Sequence, residues 1–113
     1  MKPVKTIILA VFLATQFAIS HPPSKIILDF NPETHILKVA IAHSVQDTVK
    51  HFIDGLTVSL NGKVILSQKF LTQLDSKGQE TLFLIHDVKS GDKIEATASC
   101  NVFGKKKESI TLP

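Results

Sequence analysis

The stretch LTVSLNGKVILSQKF, residues 56–70, carries the clearest structural signal in the sequence. Apolar and polar residues alternate in its first part, which places Leu56, Val58 and Leu60 on one side of an extended chain. The dipeptide Asn-Gly follows, and it is typical of the two-residue type I′ turn that joins antiparallel strands. The apolar-rich run KVILSQKF then provides a return strand. The stretch therefore predicts a β-hairpin.

The same alternation recurs on both sides of this hairpin, with turn residues between the runs. The further runs are KIILDF (25–30), HILKVAIA (35–42), ETLFLIH (80–86), KIEATASC (93–100) and ESITL (108–112). The apolar positions that we expect to face the core include Ile26, Leu28, Phe30, Leu37, Val39, Ile41, Ile94, Ala96 and Ala98. Seven short strands without a credible helix predict an all-β fold, an immunoglobulin-like antiparallel β-sandwich. A small barrel is the alternative.

The first twenty residues have the three parts of a secretory signal peptide. A basic start, MKPVK, precedes an apolar run, and Ala-Ile-Ser ends the segment before His21. The unbroken apolar part, residues 7–14, is much shorter than the about 20 residues that a membrane-spanning helix needs. We therefore expect a signal peptide over residues 1–20, a secreted or periplasmic protein, and one β-sandwich domain over residues 21–113.

The composition limits the classes of partner. The chain has 13 basic residues, all lysines, and 10 acids, for a formal charge of +3. Lys2 and Lys5 lie in the predicted signal peptide, so its removal leaves a formal charge of +1. With no arginine, tyrosine or tryptophan, the chain is not expected to bind nucleic acid. The dense positive run GKKKES (104–109) is expected to be a solvated turn. We expect no membrane association after cleavage, and a redox partner and a homo-oligomer stay open.

Cys100 is the only cysteine. An exported chain with one cysteine cannot form an intramolecular disulfide, and an exposed free thiol is a liability in an oxidising compartment. Cys100 continues the inward-facing positions of the run 93–100, so we expect its side chain to point into the sandwich at the end of its strand. Two interpretations follow, a small buried hydrophobic residue or a metal ligand.

Two histidines flank one predicted loop. His43 ends the second strand and His51 begins the third, so the loop SVQDTVK between them places both imidazoles at the end of the sandwich where we expect Cys100. Imidazole and thiolate together are ligands for zinc, copper or iron. His21, before two prolines, is either a ligand on a stiff lead-in or a frayed terminus. No Ser-His-Asp spacing, phosphate-binding glycine loop or paired carboxylates indicate a hydrolase or a transferase.

The two remaining histidines are weaker candidates. His35 lies in a turn at the other end of its strand and is expected to be exposed. His86 ends the strand that precedes the strand of Cys100, so it is harder to exclude.

Residues 21–113 resemble the iron-binding domain of desulfoferrodoxin and neelaredoxin, the superoxide reductases. The family places its ligands in three motifs, His-x-Pro, then His-Pro and His-Tyr-Ile in one stretch, then Cys-Asn-x-His-Gly. The corresponding segments here are His21-Pro22-Pro23, His43-Ser44 with His51-Phe52-Ile53, and Cys100-Asn101-Val102-Phe103-Gly104. The resemblance implies an immunoglobulin-like β-sandwich that binds iron, which the family holds with four histidines and one axial cysteine.

Three departures from the family pattern limit what the resemblance implies. Phe103 stands where the family has its fourth histidine, Ser44 replaces a proline, and the lysine that precedes the first histidine is missing. The family positions leave His21, His43, His51 and Cys100 as metal ligands, a set that suits copper or zinc as well as iron. A superoxide-reductase-like oxidoreductase is therefore one hypothesis. The alternative is a metal-free immunoglobulin-like binding module, in which Phe103 fills the former iron pocket.

Overall fold

The computed structural model describes residues 21–113, and the predicted signal peptide lies outside them. Seven strands follow one another in this part of the chain: β1 (Lys25–Asn31), β2 (Ile36–Ala42), β3 (Ile53–Leu60), β4 (Lys63–Lys69), β5 (Gly78–Leu84), β6 (Lys93–Cys100) and β7 (Lys105–Thr111). Between residues 21 and 113 there is no helix of the length and apolar character needed to cross a membrane.

The strands form two antiparallel sheets. One sheet has the order β1-β2-β5, and the other has the order β4-β3-β6-β7. Two sheets with separate edges, packed over a shared core, make a β-sandwich and not a closed barrel. The predicted fold class is confirmed.

The predicted inward positions are also confirmed. The buried core comes from alternate residues of both sheets, because successive side chains of a strand point to opposite faces. Its members include Ile26, Leu28, Leu37, Val39, Ile41, Leu56, Val58, Ile94, Ala96 and Ala98, with Phe30 and Leu60 packed against them.

The Asn61-Gly62 turn has the predicted geometry. Asn61 has a φ of 51° and Gly62 a φ of 87°. Positive values at both central residues define the type I′ turn, whose twist matches that of the flanking strands. The Asn61 side chain also accepts a hydrogen bond from the backbone of Lys93 at 2.9 Å. This turn therefore joins the β3-β4 hairpin to the start of β6.

One prediction about the strands is wrong. The lysine run expected as a solvated turn belongs to β7, where Lys105, Lys106 and Lys107 pair with the last residues of β6. The run has no apolar alternation because β7 is an edge strand with much of its surface in solvent. Lysines on an edge strand also oppose pairing with another chain.

One end of the sandwich collects the segments that hold the predicted ligands. We call it the histidine end. It comprises the lead-in of residues 21–24, the β2-β3 loop (43–52), the β4-β5 loop (70–77) and the turn after β6 (101–104). Antiparallel pairing places these segments together, because β2 and β6 end where β3 and β5 begin.

Candidate metal centre

Three histidines meet at the histidine end. His21, His43 and His51 each offer a ring nitrogen, and these atoms lie within 4.8 Å of one another. The ring centroids are separated by 4.9 Å for His21 and His43, 4.8 Å for His43 and His51, and 5.4 Å for His21 and His51. The convergence expected from the sequence is present. Ligation of a metal by these residues stays a prediction.

The loop between His43 and His51 is held by hydrogen bonds within it and to the β4-β5 loop. The His43 N–H donates to the carbonyl of Lys77, which extends the pairing of β2 beyond its last residue. Asp47 accepts hydrogen bonds from the amides of Val49 and Lys50, and these bonds lower the pKa of its carboxyl group. The carbonyl of Asp47 accepts from the His51 N–H at 3.0 Å. This tight turn directs His51 back towards His43.

The lead-in places His21 over the site. The Nε2 atom of His21 lies 2.9 Å from the carbonyl oxygen of Ser44. Pro22 packs against Gly104, where a Cβ would come within 2.5 Å of the Pro22 Cβ. His21 is therefore fixed between the β2-β3 loop and the turn after β6, and the frayed-terminus interpretation does not describe it.

The imidazole of His51 has an unpaired donor or acceptor. Its Nε2 atom is buried and has no hydrogen-bond partner. Burial lowers the pKa of His51 first, and the neighbouring His43 and His21 lower it further. A lowered pKa keeps the ring neutral at physiological pH, so a ring nitrogen retains the lone pair that a metal ion needs. A buried polar atom without a protein partner is rare, and a water molecule or an ion commonly satisfies such an atom.

His43 is fully buried and has an additional partner that the sequence did not reveal. Its Nδ1 atom donates to the side-chain oxygen of Gln73 at 2.9 Å, and its Nε2 atom lies 3.2 Å from the carbonyl oxygen of His21. Gln73 is 3% exposed. It lies in the loop before β5, and a single polar residue in a loop carries no sequence signal of burial.

Cys100 points into the sandwich as predicted, with 8% of its surface exposed. It pairs with Ile53, two residues after His51, and its sulfur accepts a hydrogen bond from the Val102 N–H at 3.4 Å. The three-histidine group does not include Cys100. The thiol lies at the histidine end, and its role as a fourth ligand stays a prediction.

Asn101 ties the turn after β6 to the backbone around His51. Its side-chain oxygen accepts from the Phe52 N–H at 2.8 Å, and its side-chain nitrogen donates to the Lys50 carbonyl at 3.0 Å. The residues on both sides of His51 are thus bonded to the residue that follows Cys100. Asn101 is a positioning residue for both candidate ligands, and its place in the Cys-Asn motif was the only sequence signal for it.

Phe103 does not fill a pocket. It is 61% exposed, and the preceding Val102 is 50% exposed. The proposal that its ring packs into a former iron site is therefore wrong. The chain reverses between Cys100 and Gly104, whose carbonyl accepts from the Cys100 N–H at 3.0 Å, and the tip of this turn lies in solvent.

The other two histidines lie at the opposite end of the sandwich. His35 precedes β2 and His86 follows β5. Because these strands are antiparallel, β2 begins and β5 ends at that end of the sandwich. His86 is exposed and is excluded from the cluster by this topology. His35 is partly buried and not simply exposed as expected, since its Nδ1 atom lies 3.1 Å from the Ile85 carbonyl oxygen.

Several solved structures with the same architecture are superoxide reductases. One is the superoxide reductase (1Fe-SOR) of Giardia intestinalis, with 19% identity and a TM-score of 0.59, over 81% of this chain and 97% of that one. The neelaredoxin of Archaeoglobus fulgidus has 21% identity and a TM-score of 0.52, over 81% and 89%. The chain has the superoxide reductase fold.

A hypothetical protein from Pyrococcus horikoshii is similar to the same extent, with 18% identity and a TM-score of 0.60, over 80% of this chain and 89% of that one. No protein-family model and no curated protein sequence matches the chain significantly. At such low identity the likeness establishes the fold, and the chemistry has to be argued from the site.

Proposed function

We propose that this protein binds a single transition-metal ion through His21, His43 and His51. The observation that carries the proposal is the Nε2 atom of His51, which is buried without a partner beside two other imidazoles. The three imidazoles lie together with no carboxylate of residues 21–113 hydrogen-bonded to them, and the ring of His51, whose pKa is lowered, keeps a lone pair that a cation can take. Imidazole is the commonest protein ligand for iron, copper and zinc.

The residues at the histidine end can hold such an ion, but they do not provide all the ligands found in the superoxide reductases. Three imidazoles are present, Cys100 is the fourth donor that we assign, and exposed Phe103 contributes none. Three nitrogens and one sulfur form a four-coordinate set that suits zinc and copper as well as iron. We favour iron because the fold is that of iron enzymes, and copper and zinc are the alternatives.

Iron at this position would supply one-electron redox chemistry, and a superoxide-reductase-like reaction is the finer form of the proposal. The protein contributes orientation and access. His43 is buried and fixed, whereas His21 and His51 are partly exposed, so a small molecule from solvent reaches the site on their side. The lowered pKa of His51 keeps its ring available as a ligand to lower pH than an ordinary imidazole.

We also propose that the protein acts after export, in the periplasm or outside the cell. Cleavage after Ser20 would give His21 a free α-amine next to its imidazole. Amine and ring together chelate a cupric ion, so the position of cleavage bears on the choice of metal. Mass measurement of the protein from the exported fraction tests the cleavage site directly.

Metal analysis of the purified protein tests the proposal. We expect about one equivalent of iron, copper or zinc in the wild type, and its loss in His51→Asn. Substitution of His86, which is exposed at the other end, provides the matched control, and His86→Asn should retain the metal. If the thiolate is a ligand, Cys100→Ser should lower the affinity for the metal or change which of the three metals is bound.

The metal-free binding module is the remaining alternative. A wild-type protein that takes up none of the three metals in stoichiometric amount, with the same result for His51→Asn, would establish it. If iron is bound, rapid mixing of the ferrous protein with superoxide tests the redox proposal, which predicts consumption of superoxide with oxidation of the iron. No reaction would reject the redox role and leave metal binding in place.

A further inference from the structure

The side chain of Gln73 is bonded at every position. Its nitrogen donates to the carbonyls of His43 at 2.8 Å and Asp75 at 2.9 Å. Its oxygen accepts from the Ile53 N–H at 3.1 Å and faces the Nδ1 atom of His43 at 2.9 Å. Such a buried, fully bonded amide joins the β2-β3 loop, the β4-β5 loop and the start of β3.

Backbone groups determine which way this amide points. A backbone N–H can only donate and a backbone carbonyl can only accept. In the flipped orientation, the nitrogen of Gln73 would face the Ile53 N–H and its oxygen would face the carbonyls of His43 and Asp75. Three bonds would become repulsive contacts. The oxygen of Gln73 therefore faces His43, and the Nδ1 atom of His43 must carry the proton.

This proton has a consequence for the other ring nitrogen. A neutral imidazole carries one proton, so its second nitrogen holds a lone pair. In such a neutral ring, the Nε2 atom of His43 directs its lone pair at the carbonyl oxygen of His21, 3.2 Å away, where two acceptors repel each other. A cation between the three imidazoles relieves this repulsion. In metal sites, a ligating histidine usually donates its other ring N–H to an acceptor that does not itself bind the metal. This hydrogen bond orients the imidazole.

We infer that Gln73 is the positioning residue of this metal centre, which holds His43 in the Nδ1–H tautomer and so selects Nε2 as the metal donor. The inference rests on the proposed metal site and adds the residue that determines its donor atom. Nothing in the three-histidine motif itself requires Gln73. Its place is determined by the backbone of β3 and by the loop before β5.

The chain provides a matched control in Gln79. Gln79 is also buried, at 6% exposure, and its nitrogen donates to the Thr72 carbonyl at 2.9 Å while its oxygen accepts from the Leu74 N–H at 2.9 Å. It supports the same β4-β5 loop but makes no hydrogen bond to His43. Gln73→Leu and Gln79→Leu should both lower the melting temperature, so a lower zinc affinity in Gln73→Leu alone comes from the loss of the Gln73 contacts and not from general loosening of the loop.

The experiment measures the tautomer of His43 by nitrogen-15 NMR, in the metal-free protein and with zinc, which is diamagnetic. We expect Nδ1–H in both states and a zinc-dependent shift of Nε2. Zinc affinity should fall about 10–100-fold in Gln73→Leu, the range for an outer partner of a ligand, and should change little in Gln79→Leu. Gln73→Glu keeps an acceptor oxygen opposite Nδ1, so we expect it to keep the tautomer.

The outcomes separate the two proposals. A proton on Nε2 in the wild type, or zinc bound through Nδ1 of His43, would overturn the inference while the metal site stands. Equal zinc affinities for Gln73→Leu and Gln79→Leu would overturn it as well. A wild-type protein that binds neither zinc, copper nor iron would reject the proposed function, whichever tautomer His43 adopts. The wild-type spectrum decides the tautomer even if Gln73→Leu does not fold.

Discussion

Cys100 and Phe103 lie three positions apart in one turn and have opposite environments. Cys100 is 8% exposed and Phe103 is 61% exposed. The strand alternation that turns Cys100 inward ends with β6, and the following turn directs its tip into solvent. A residue at this tip can change without an effect on the core. Phe103 therefore offers no donor atom for a metal and adds no packing to the core.

At this scale, we predict that Phe103→Ala has little effect on stability. Exposed substitutions change the free energy of unfolding by about 0.5 kcal/mol or less. The control is Phe83→Ala, because Phe83 packs against the core, and its truncation should cost roughly 2 kcal/mol or more. Urea denaturation of both variants measures the difference. A cost for Phe103→Ala as large as that for Phe83→Ala would restore the filled-pocket hypothesis.

At the scale of the elements, the turn after β6 connects two candidate ligands. Gly104 has a φ of 89°, and its lack of a side chain lets Pro22 pack directly against it. His21 precedes this contact and Cys100 precedes the turn. The position of His21 therefore depends on a glycine in a different strand connection.

We predict that Gly104→Ala weakens metal binding, because the added methyl group displaces Pro22 and with it His21. Gly91→Ala is the matched control, since Gly91 has the same φ of 89° but open space around it. Both substitutions place alanine in the left-handed region, which costs about 1–2 kcal/mol. Only Gly104→Ala should lower zinc affinity, as measured by calorimetric titration. Equal affinities for the two variants would show that the contact with Pro22 does not position His21.

A second connection between elements lies at the opposite end of the sandwich. Asp92 is 5% exposed, accepts from the side chain of Asn61 at 3.0 Å and from the Lys89 N–H at 2.9 Å, and pairs with the Lys89 ammonium group. The bond from Asn61 lowers the pKa of Asp92 most, followed by the bond from the backbone of Lys89. This carboxylate joins the Asn-Gly turn to the β5-β6 loop.

The lowered pKa predicts how stability depends on pH. The unfolded chain binds a proton at Asp92 near pH 3.8, whereas the folded chain does so at lower pH. The stabilisation by Asp92 is therefore complete above that pH and is lost as the pH falls through the folded pKa. We expect Asp92→Asn to be less stable than the wild type at pH 7 and to approach it in strong acid. Urea denaturation at several pH values measures this, and a constant difference down to pH 2 would contradict it.

For the whole molecule, the histidine end is where both sheets and the lead-in meet. His43 extends from the sheet β1-β2-β5, His51 leads into the sheet β4-β3-β6-β7, and His21 belongs to the lead-in before β1. An ion held by all three would add a connection between segments that hydrogen bonds and core packing already join. Binding to the folded state alone stabilises it by mass action.

We predict that the melting temperature rises with metal concentration. Free metal at 100 times the dissociation constant contributes about 2.7 kcal/mol, which for a domain of this size corresponds to roughly 10–20 °C. Thermal unfolding with and without zinc measures the shift. A third measurement, with zinc and then a chelator added before heating, measures its reversal. His51→Asn should show no shift, and a shift of equal size in that variant would place the bound ion elsewhere.

The sequence by itself determined the sandwich. The period of two along seven runs and the Asn-Gly turn are local signals, because side-chain alternation and turn geometry depend on neighbouring residues. They were enough to predict the inward face of Cys100 and the common end of His43 and His51. They failed for the lysine run of β7, because an edge strand in solvent does not require apolar alternation.

Only the tertiary structure decided what surrounds the site. The bond from His43 to Gln73, the contact of Pro22 with Gly104 and the exposure of Phe103 join residues that are distant in sequence. Such contacts depend on how two sheets and four connecting segments pack, and no local pattern encodes them. The physical reason is that burial and hydrogen-bond pairing are properties of the folded neighbourhood, whereas strand period and turn type belong to the chain itself.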